Sequence, residues 1–310
     1  MHLSSTFARF RSAVTDRGGF FTAGFRRILP ATIVALLASA CLADMRPESL
    51  KTRSSAVDTD QARSILMAGA LAQTVGGNSR QSWLAMSGVR VRLTDEWYGL
   101  ADLLVNKWPA NPQRIDFQFV PGKDAGVMNF LDAAGAPTGT IWGIHEWNTW
   151  KRATPDAPAD YSADPVIKFN LPTVQYFLEM AMRLPDGEIV DYAETIEADG
   201  LELHVVYITW GSYGPNSTID QYVAYYRKDN GRLHHVEFTV RDNYPFVTAA
   251  AYYKDFRVVQ GYYFPFQIDL TEVGDPTSIV HTYTVQEVQL NHQLSRQSYA
   301  PDPNRGPASK

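Results

Sequence analysis

IDQYVAYYRKDNGRLHHVEFTVRD, residues Ile219 to Asp242, consists of two runs of β-forming residues joined by a turn. The dipeptide Asn230-Gly231 favours a tight hairpin there, because a two-residue turn needs residues that tolerate positive φ. If Asp229 faces Arg232 across the turn, the pairing of the whole hairpin follows, since side chains alternate between the two faces of a strand. The stretch therefore predicts an antiparallel hairpin with a defined register.

This register gives the hairpin one apolar face. It places Val223 opposite Phe238 and Tyr225 opposite Val236, whereas the other face mixes polar and aromatic side chains. An antiparallel sheet with that division covers a hydrophobic interior on one side only. We therefore expect these four residues to point into the interior of the protein.

Strand patterns continue on both sides of the hairpin. Residues 83–92 begin the β region, and residues 114–120, 127–131 and 140–150 alternate apolar and polar side chains or are rich in β-formers. From residue 189 to about residue 290, turn signals recur with no helical pattern between them. The sequence predicts an antiparallel meander in this second half of the chain.

Two segments have helical periodicity instead. Residues 59–75 repeat small and aliphatic residues at spacings of three and four, and residues 172–184 begin with proline and carry one apolar stripe. About eleven strands and two or so helices do not fit a doubly wound α/β fold. The pattern predicts an α+β protein in which a long, curved antiparallel sheet wraps over the helices.

The segment YYKDFRVVQGYYFPF, from Tyr252 to Phe266, joins two aromatic strands through Gly261 and has Pro265 in the second strand. With the order helix, strands, helix, strands, it resembles the lipoprotein-carrier fold of the outer-membrane lipoprotein localisation proteins LolA and LolB. This resemblance implies an unclosed half-barrel over residues 58–291. It also implies that the concave face of the half-barrel holds acyl chains.

A cavity for acyl chains would be mostly apolar with few polar groups. The resemblance and the face assignments together predict its lining: Val223, Tyr225, Val236, Phe238, Tyr262, Phe264 and Phe266 from the sheet, and Phe177 and Met182 from the second helix. The expected ligand is a lipid or the acyl part of a lipoprotein. The alternative is that the same apolar face is a filled core without a ligand.

The N-terminus has the parts of an export signal. A twin arginine precedes an apolar run that ends in small residues and is too short to cross a bilayer as a helix, which takes about 20 residues. Residues 1–40 are therefore predicted to be a signal peptide. The stretch from Ala38 to Cys41 resembles a bacterial lipobox, which implies lipid attachment at Cys41. Cleavage without lipidation, giving a periplasmic protein, is the alternative.

By the same resemblance to bacterial sorting signals, Leu42 after the cysteine implies an outer-membrane lipoprotein facing the periplasm. Residues 41–57 are predicted to be a polar tether and residues 292–310 a polar, flexible tail. The net charge of −5 includes an arginine-rich signal, so the remainder is more acidic and argues against nucleic acid as a partner. A single cysteine excludes an intrachain disulfide.

No catalytic, metal or cofactor motif emerges from the sequence. His234, His235 and Glu237 form the densest titratable group, but on a strand only His235 and Glu237 share a face. Gly211-Ser212 lacks the spacing of a nucleophile elbow. We therefore expect no catalytic residues, no metal and no cofactor, and an envelope hydrolase is the least favoured alternative.

A structural or sensory role through protein–protein contacts is the principal alternative to ligand binding. Its candidate surface is an exposed sheet edge or the tryptophan-rich segment from Trp142 to Trp150. A solvent-exposed tryptophan patch on a fully packed barrel would favour that role.

Overall fold

The computed structural model describes residues 42–241, 244–306 and 308, and the side chains of residues 244–246 lie outside this description. The predicted signal peptide and Cys41 therefore fall outside the described residues. Within them, one sheet contains twelve strands in the order β5-β4-β3-β2-β1-β12-β11-β10-β9-β8-β7-β6. Every neighbouring pair is antiparallel, and the described edge strands β5 and β6 do not pair with each other. The unclosed antiparallel sheet predicted from the sequence is confirmed.

The strands are β1 Val89–Trp97, β2 Gln113–Phe119, β3 Ala125–Leu131, β4 Pro137–His145, β5 Asn148–Arg152, β6 Ile189–Ala198, β7 Leu201–Thr209, β8 Gln221–Arg227, β9 Leu233–Val240, β10 Tyr244–Val259, β11 Tyr262–Glu272 and β12 Asp275–Leu290. The described helices are α1 Glu48–Lys51, α2 Thr59–Ala72, α3 Arg80–Leu84, α4 Gly99–Leu104, α5 Pro165–Leu178, α6 Met180–Arg183 and α7 Arg296–Tyr299. A 3-10 turn, Leu184–Asp186, follows α6 directly. Among the described helices, none is long and apolar enough to cross a membrane.

The two long helices lie on one face of the sheet, which we call the inner face. Helix α2 packs on β6 and β7, and helix α5 packs on β4, β5 and β11. The main hydrophobic core lies between these helices and the inner face. Alternate residues of β11 face this core, since it includes Tyr262, Phe264, Phe266, Ile268 and Leu270.

The second helix begins earlier than the sequence pattern predicts. Asp164 caps its N-terminus by accepting from the backbone of Val166 at 3.0 Å, and Pro165 occupies the first turn. Pro172, the predicted start, lies inside the helix. The helix then breaks at Glu179 and continues as α6.

The β region also begins later than predicted, because residues 83–92 contain a helix end and a loop before β1. Ser79 and Ser82 form a reciprocal capping box that starts α3, so Trp83 lies on a helix.

The β8–β9 hairpin differs from the predicted two-residue turn. The backbone N–H of Arg227 donates to the carbonyl of Arg232 at 2.9 Å, so residues 228–231 form the loop. Gly231 has a φ of 73°, which glycine adopts without the steric cost of a side chain. A further register shift follows Tyr225. Our register is therefore wrong by one residue.

The observed register changes which β8 residues face the core. Tyr222 lies opposite Phe238, and Ala224 lies opposite Val236. Val223 consequently points to the opposite, outer face of the sheet. Since side chains alternate with a period of two, a one-residue shift turns the whole strand over.

The segment predicted to be a free tether packs along the outer face instead. Leu50 is completely buried in a cluster with Val205, Tyr207, Tyr213 and Val223, which we call the outer cluster. Without this cover, the apolar outer side chains of β7 and β8 would contact water. The tether prediction is wrong for residues 45–56, because a few apolar residues fix the otherwise polar segment to the sheet.

The C-terminal tail is also folded against the sheet. The indole N–H of Trp150 donates to the carbonyl of Tyr299 at 2.9 Å, and the backbone N–H of Asp302 donates to the hydroxyl of Tyr161 at 3.0 Å. Asn148 donates to the carbonyl of Gly306 at 2.7 Å. The prediction of a flexible tail is therefore wrong for residues 299–306, which cover the β4–β5 hairpin.

Candidate ligand cleft

A cleft lies where α5 breaks into α6, between these helices and the inner face of the sheet. Its volume is about 30 Å³, the space of roughly one water molecule. The cleft is lined by Gln73, Trp83, Phe177, Leu178, Glu179, Met180, Ala181, Met182, Leu233, Tyr253, Phe256, Tyr262, Tyr263, Phe264 and Pro265. Apolar side chains from the helices face aromatic side chains from the sheet across it.

Four of the predicted lining residues meet at this cleft. Phe177 and Met182 contribute from the helices, and Tyr262 and Phe264 contribute from β11. All four are buried, with exposed fractions of 6% or less. The face assignment brought these side chains together correctly, while their role in ligand binding stays a prediction.

Three further predicted residues lie in the core without lining the cleft. Val236, Phe238 and Phe266 belong to the main core, and the Phe238 ring centre lies 5.3 Å from that of Phe177. Phe238 therefore packs against α5 from the inner face of the sheet. The three residues could contact a ligand only if the cleft became deeper.

Val223 and Tyr225 do not belong to this site. Val223 is part of the outer cluster, and Tyr225 packs against that cluster from the same face. The Tyr225 ring stacks on His235 with ring centres 3.9 Å apart. Assigning these two residues to the interior was wrong, and the cause is the one-residue register shift of the hairpin.

The rim of the cleft is held by α3 and the β10–β11 turn. The hydroxyls of Ser82 and Tyr262 lie 2.7 Å apart, and the Trp83 ring meets the edge of Tyr262 at 5.4 Å. The backbone N–H of Val75 donates to the carbonyl of Gly261 at 2.8 Å. The Gly261 position has a φ of 85°, so a glycine suits the turn that makes this contact.

Glu179 is the polar centre of the helix break and is 2% exposed. Its carboxylate accepts from the indole N–H of Trp83 at 3.1 Å, the backbone N–H of Gly122 at 3.0 Å and the side chain of Gln175 at 3.0 Å. Arg183 donates to the same carboxylate at 3.1 Å. Burial raises the pKa of Glu179, although Arg183 and the hydrogen bonds act in the opposite direction.

Residues 180–186, comprising α6 and the 3-10 turn, form a cap over the cleft. Arg80 donates to the carbonyl of Met182 at 2.7 Å and pairs with Asp186 at 2.5 Å. Arg63 donates to the carbonyl of Pro185 at 3.0 Å. The cap is also packed into the main core, since Met180, Met182 and Leu184 are at most 4% exposed.

The cleft residues that the sequence pattern did not predict include Gln73, Trp83, Glu179, Leu233 and Tyr253. Glu179 is the only charged residue in the otherwise apolar sequence FLEMAM, residues 177–182. A buried position for this residue could have been predicted from that pattern. The other four needed the tertiary arrangement, because they come from separate elements. Tyr253 belongs to the aromatic segment from Tyr252 to Phe266, but the pairing of β10 with β11 determines which face it occupies.

The other titratable group noted in the sequence lies on the outer face. His235 stacks between the rings of Tyr225 and Tyr252, and burial, followed by the charge of His234, lowers its pKa to about 3. Glu237 accepts from the hydroxyl of Tyr225 at 3.1 Å. Among the described residues, no group of three or more His, Cys, Asp or Glu residues is placed to hold a metal ion.

The tryptophan-rich segment does not form an exposed patch. Trp142 is 8% exposed and stacks with Trp108 in the main core, while Trp150 is 1% exposed beneath the C-terminal tail. The surface that would favour a protein-binding role is therefore not present at these two tryptophans.

Comparison of the sequence with protein-family models and with curated proteins finds no match. Solved structures with a similar fold do exist. A DUF1329 family protein from Desulfovibrio piger has a TM-score of 0.50 and 10% identity, and the match covers 78% of this chain and 98% of that one.

Two further structures have TM-scores just below 0.5. A LolA superfamily protein from Nitrosomonas europaea has a TM-score of 0.46 and 10% identity, covering 77% of this chain and 97% of its own. A putative outer membrane lipoprotein-sorting protein domain from Vibrio parahaemolyticus has a TM-score of 0.49 and 11% identity, covering 79% and 98%. At 10% identity, the likeness to the Desulfovibrio piger protein concerns the fold alone.

Proposed function

We propose that this chain is a non-enzymatic cell-envelope protein that binds a lipid, or the acyl part of a lipoprotein, between the α5–α6 helices and the inner face of the sheet. The observation that carries this proposal is the cleft itself. Its walls come from two separate layers, and most of the side chains lining it are apolar. Sites for hydrophobic ligands have this composition.

The cleft must widen before it can hold an acyl chain. Its volume is about 30 Å³, whereas ligand sites usually enclose about 300–1,000 Å³. The cap of residues 180–186 is the element suited to move, because a helix break precedes it. Its displacement has to separate the buried side chains of Met180, Met182 and Leu184 from the main core. The closed form would then keep the apolar walls away from water between binding events.

The N-terminal sequence supports an envelope location. A signal peptide over residues 1–40 would export the chain, and lipidation of Cys41 would attach it to the outer membrane. Cleavage without lipidation would leave it in the periplasm. Either outcome places the ligand cleft in a compartment that contains lipids and lipoproteins.

Native mass spectrometry with lipid extraction tests this proposal. The Cys41→Ser chain would be expressed with export to the periplasm, so that its own anchor cannot be mistaken for a ligand. We expect a co-purifying lipid in a fixed ratio to protein. A charge placed on the cleft wall, Phe264→Glu, should abolish that mass increment.

The matched control is a charge on the outer face, Val223→Glu, in a residue that is similarly buried. Both variants would be checked by circular dichroism, and only folded protein would be compared. An apo mass for the wild type, together with no uptake of a fluorescent acyl lipid, would contradict the proposed function and identify the interior as filled core.

A further inference from the structure

Two buried polar groups in the cleft have no hydrogen-bond partner among the described residues. They are the side-chain N–H₂ of Gln73 and the hydroxyl of Tyr253, and both residues line the cleft. Gln73 is 5% exposed and Tyr253 is 7% exposed. More than nine in ten buried polar groups in proteins are paired, so each exception calls for a physical explanation.

Both side chains are held by well-ordered secondary structure. Gln73 caps the C-terminus of α2, and its carbonyl accepts from the backbone N–H of Tyr263 at 2.8 Å. Tyr253 lies on β10 opposite Ile268 of β11. The helix end and the strand therefore bring the two donors to the same cleft.

Two more tyrosines carry unpartnered hydroxyls in the core behind the cleft. The hydroxyls of Tyr176 on α5 and Tyr226 on β8 are both buried and without a described partner. Tyr226 is 1% exposed, and its ring lies against α2 at Gly69. Burial raises the pKa of Tyr253 and Tyr226, so these hydroxyls remain neutral and can donate hydrogen bonds.

The charges around the cleft restrict the chemistry of the ligand. Glu179 is the only charged residue among those that line it. Arg183, the neighbouring cation, is already paired with Glu179 and lies 3.6 Å from Asp124. An ionised carboxylate entering the cleft would meet a carboxylate and no uncommitted cation on the cleft lining, which is unfavourable in a buried site.

We propose that Gln73 and Tyr253 donate hydrogen bonds to the neutral carbonyl oxygen of an esterified or amide-linked acyl chain, so that the cleft selects acyl esters and amides over free fatty acids. This inference rests on the proposed function and adds the specificity of the site. The apolar walls would hold the hydrocarbon. The two donors would fix the depth at which the acyl linkage sits.

Fluorescence titration of the exported Cys41→Ser chain tests this specificity. Three probes carrying the same nitrobenzoxadiazole label and the same chain length would be compared: a diacylglycerol, a free fatty acid and an alkane. We expect the diacylglycerol to bind most tightly. Tyr253→Phe and Gln73→Met should each weaken its binding by about three- to tenfold, the value of one lost hydrogen bond, and leave alkane binding unchanged.

Tyr207→Phe is the matched control, because Tyr207 is also a buried tyrosine but lies on the outer face, where its hydroxyl donates to the carbonyl of Tyr213 at 2.8 Å. This variant should bind all three probes as the parent does. Equal affinity for the three probes, or diacylglycerol binding that Tyr253→Phe and Gln73→Met leave unchanged, would overturn the inference while the proposed function stands. Failure of the parent chain to bind any probe would overturn both.

Discussion

Removing the Glu179 carboxylate should destabilise the protein strongly. In Glu179→Ala, the indole N–H of Trp83 and the backbone N–H of Gly122 lose their acceptor, since Glu179 is their hydrogen-bond partner. Arg183 loses an ion pair while its side chain is only 9% exposed. The helix break would then contain two unpaired donors and a poorly compensated cation.

The expected loss can be worked out from these contacts. Each buried donor left unpaired costs about 1–3 kcal/mol, and breaking a buried ion pair by removing one partner costs about 3–5 kcal/mol. The contributions share one site and do not add fully. We therefore expect the free energy of unfolding to fall by about 3–6 kcal/mol, a large part of the roughly 5–15 kcal/mol available to a folded protein.

Equilibrium urea denaturation monitored by tryptophan fluorescence measures this change. The matched control is Glu202→Ala, because Glu202 pairs with Lys228 at 2.9 Å but is 62% exposed. Exposed pairs contribute about 0–1 kcal/mol, so the control should remain close to the wild type. If Glu179→Ala were no less stable than Glu202→Ala, the conclusion that the buried contacts of Glu179 stabilise the helix break would be refuted.

Three further substitutions test other parts of the structure. Burial and the charge of His234 lower the pKa of His235 to about 3 in the folded protein. Between about pH 6.5 and about pH 3, only the unfolded chain binds a proton at this residue, so the free energy of unfolding should fall by about 1.4 kcal/mol for each unit by which the pH is lowered, and this slope should be shallower in His235→Phe. A pH titration of the melting temperature with equal slopes would contradict this. Gly69→Ala places a Cβ atom 2.2 Å from the ring of Tyr226, and urea denaturation should show a loss of about 1–3 kcal/mol; wild-type stability would mean that the ring is not packed on the helix. Tyr253→Phe removes a hydroxyl without a hydrogen-bond partner and should raise the free energy of unfolding by about 1 kcal/mol. Tyr207→Phe removes a hydroxyl that is hydrogen-bonded and should lower the free energy of unfolding. If both variants changed stability in the same direction, the hydroxyl of Tyr253 would not be an unpaired donor.

The alternation of apolar residues was sufficient to predict β11 but not β8. In β11, aromatic and aliphatic residues occupy one face, so only one orientation buries them. In β8, Tyr222, Ala224 and Tyr226 on one face compete with Val223 and Tyr225 on the other. Both sets can be buried here, because the N-terminal segment covers the outer face. The composition of the strand therefore could not decide its register.

The polar part of the site depends on residues that are distant in sequence. Glu179 draws its partners from the loop after β2 and from α3, at Gly122 and Trp83. Gln73 reaches the cleft only because the α2 C-terminus pairs with the start of β11. Local patterns predict which face of an element is apolar, but they do not predict which loop will meet it.

Composition was also insufficient to predict the structure of the segments before α2 and after β12. Residues 41–57 and 292–310 are polar on average, and composition alone favours mobile tails. Individual contacts nevertheless fix both segments to the sheet. Leu50 is completely buried on the outer face, and the backbone carbonyl of Tyr299 accepts a hydrogen bond from the indole N–H of Trp150. An anchor of one or two residues is too small to change the composition of a segment.

Hydrogen–deuterium exchange of the exported Cys41→Ser chain, with and without a diacylglycerol, tests most directly whether an apolar ligand enters between the cap and the sheet. We expect a change in amide exchange at the segments that line the cleft, chiefly residues 178–186 and 253–265. Residues 203–209, at the outer cluster, should exchange equally in both samples. An unchanged exchange pattern at the cleft, or a change restricted to the outer face, would contradict this expectation.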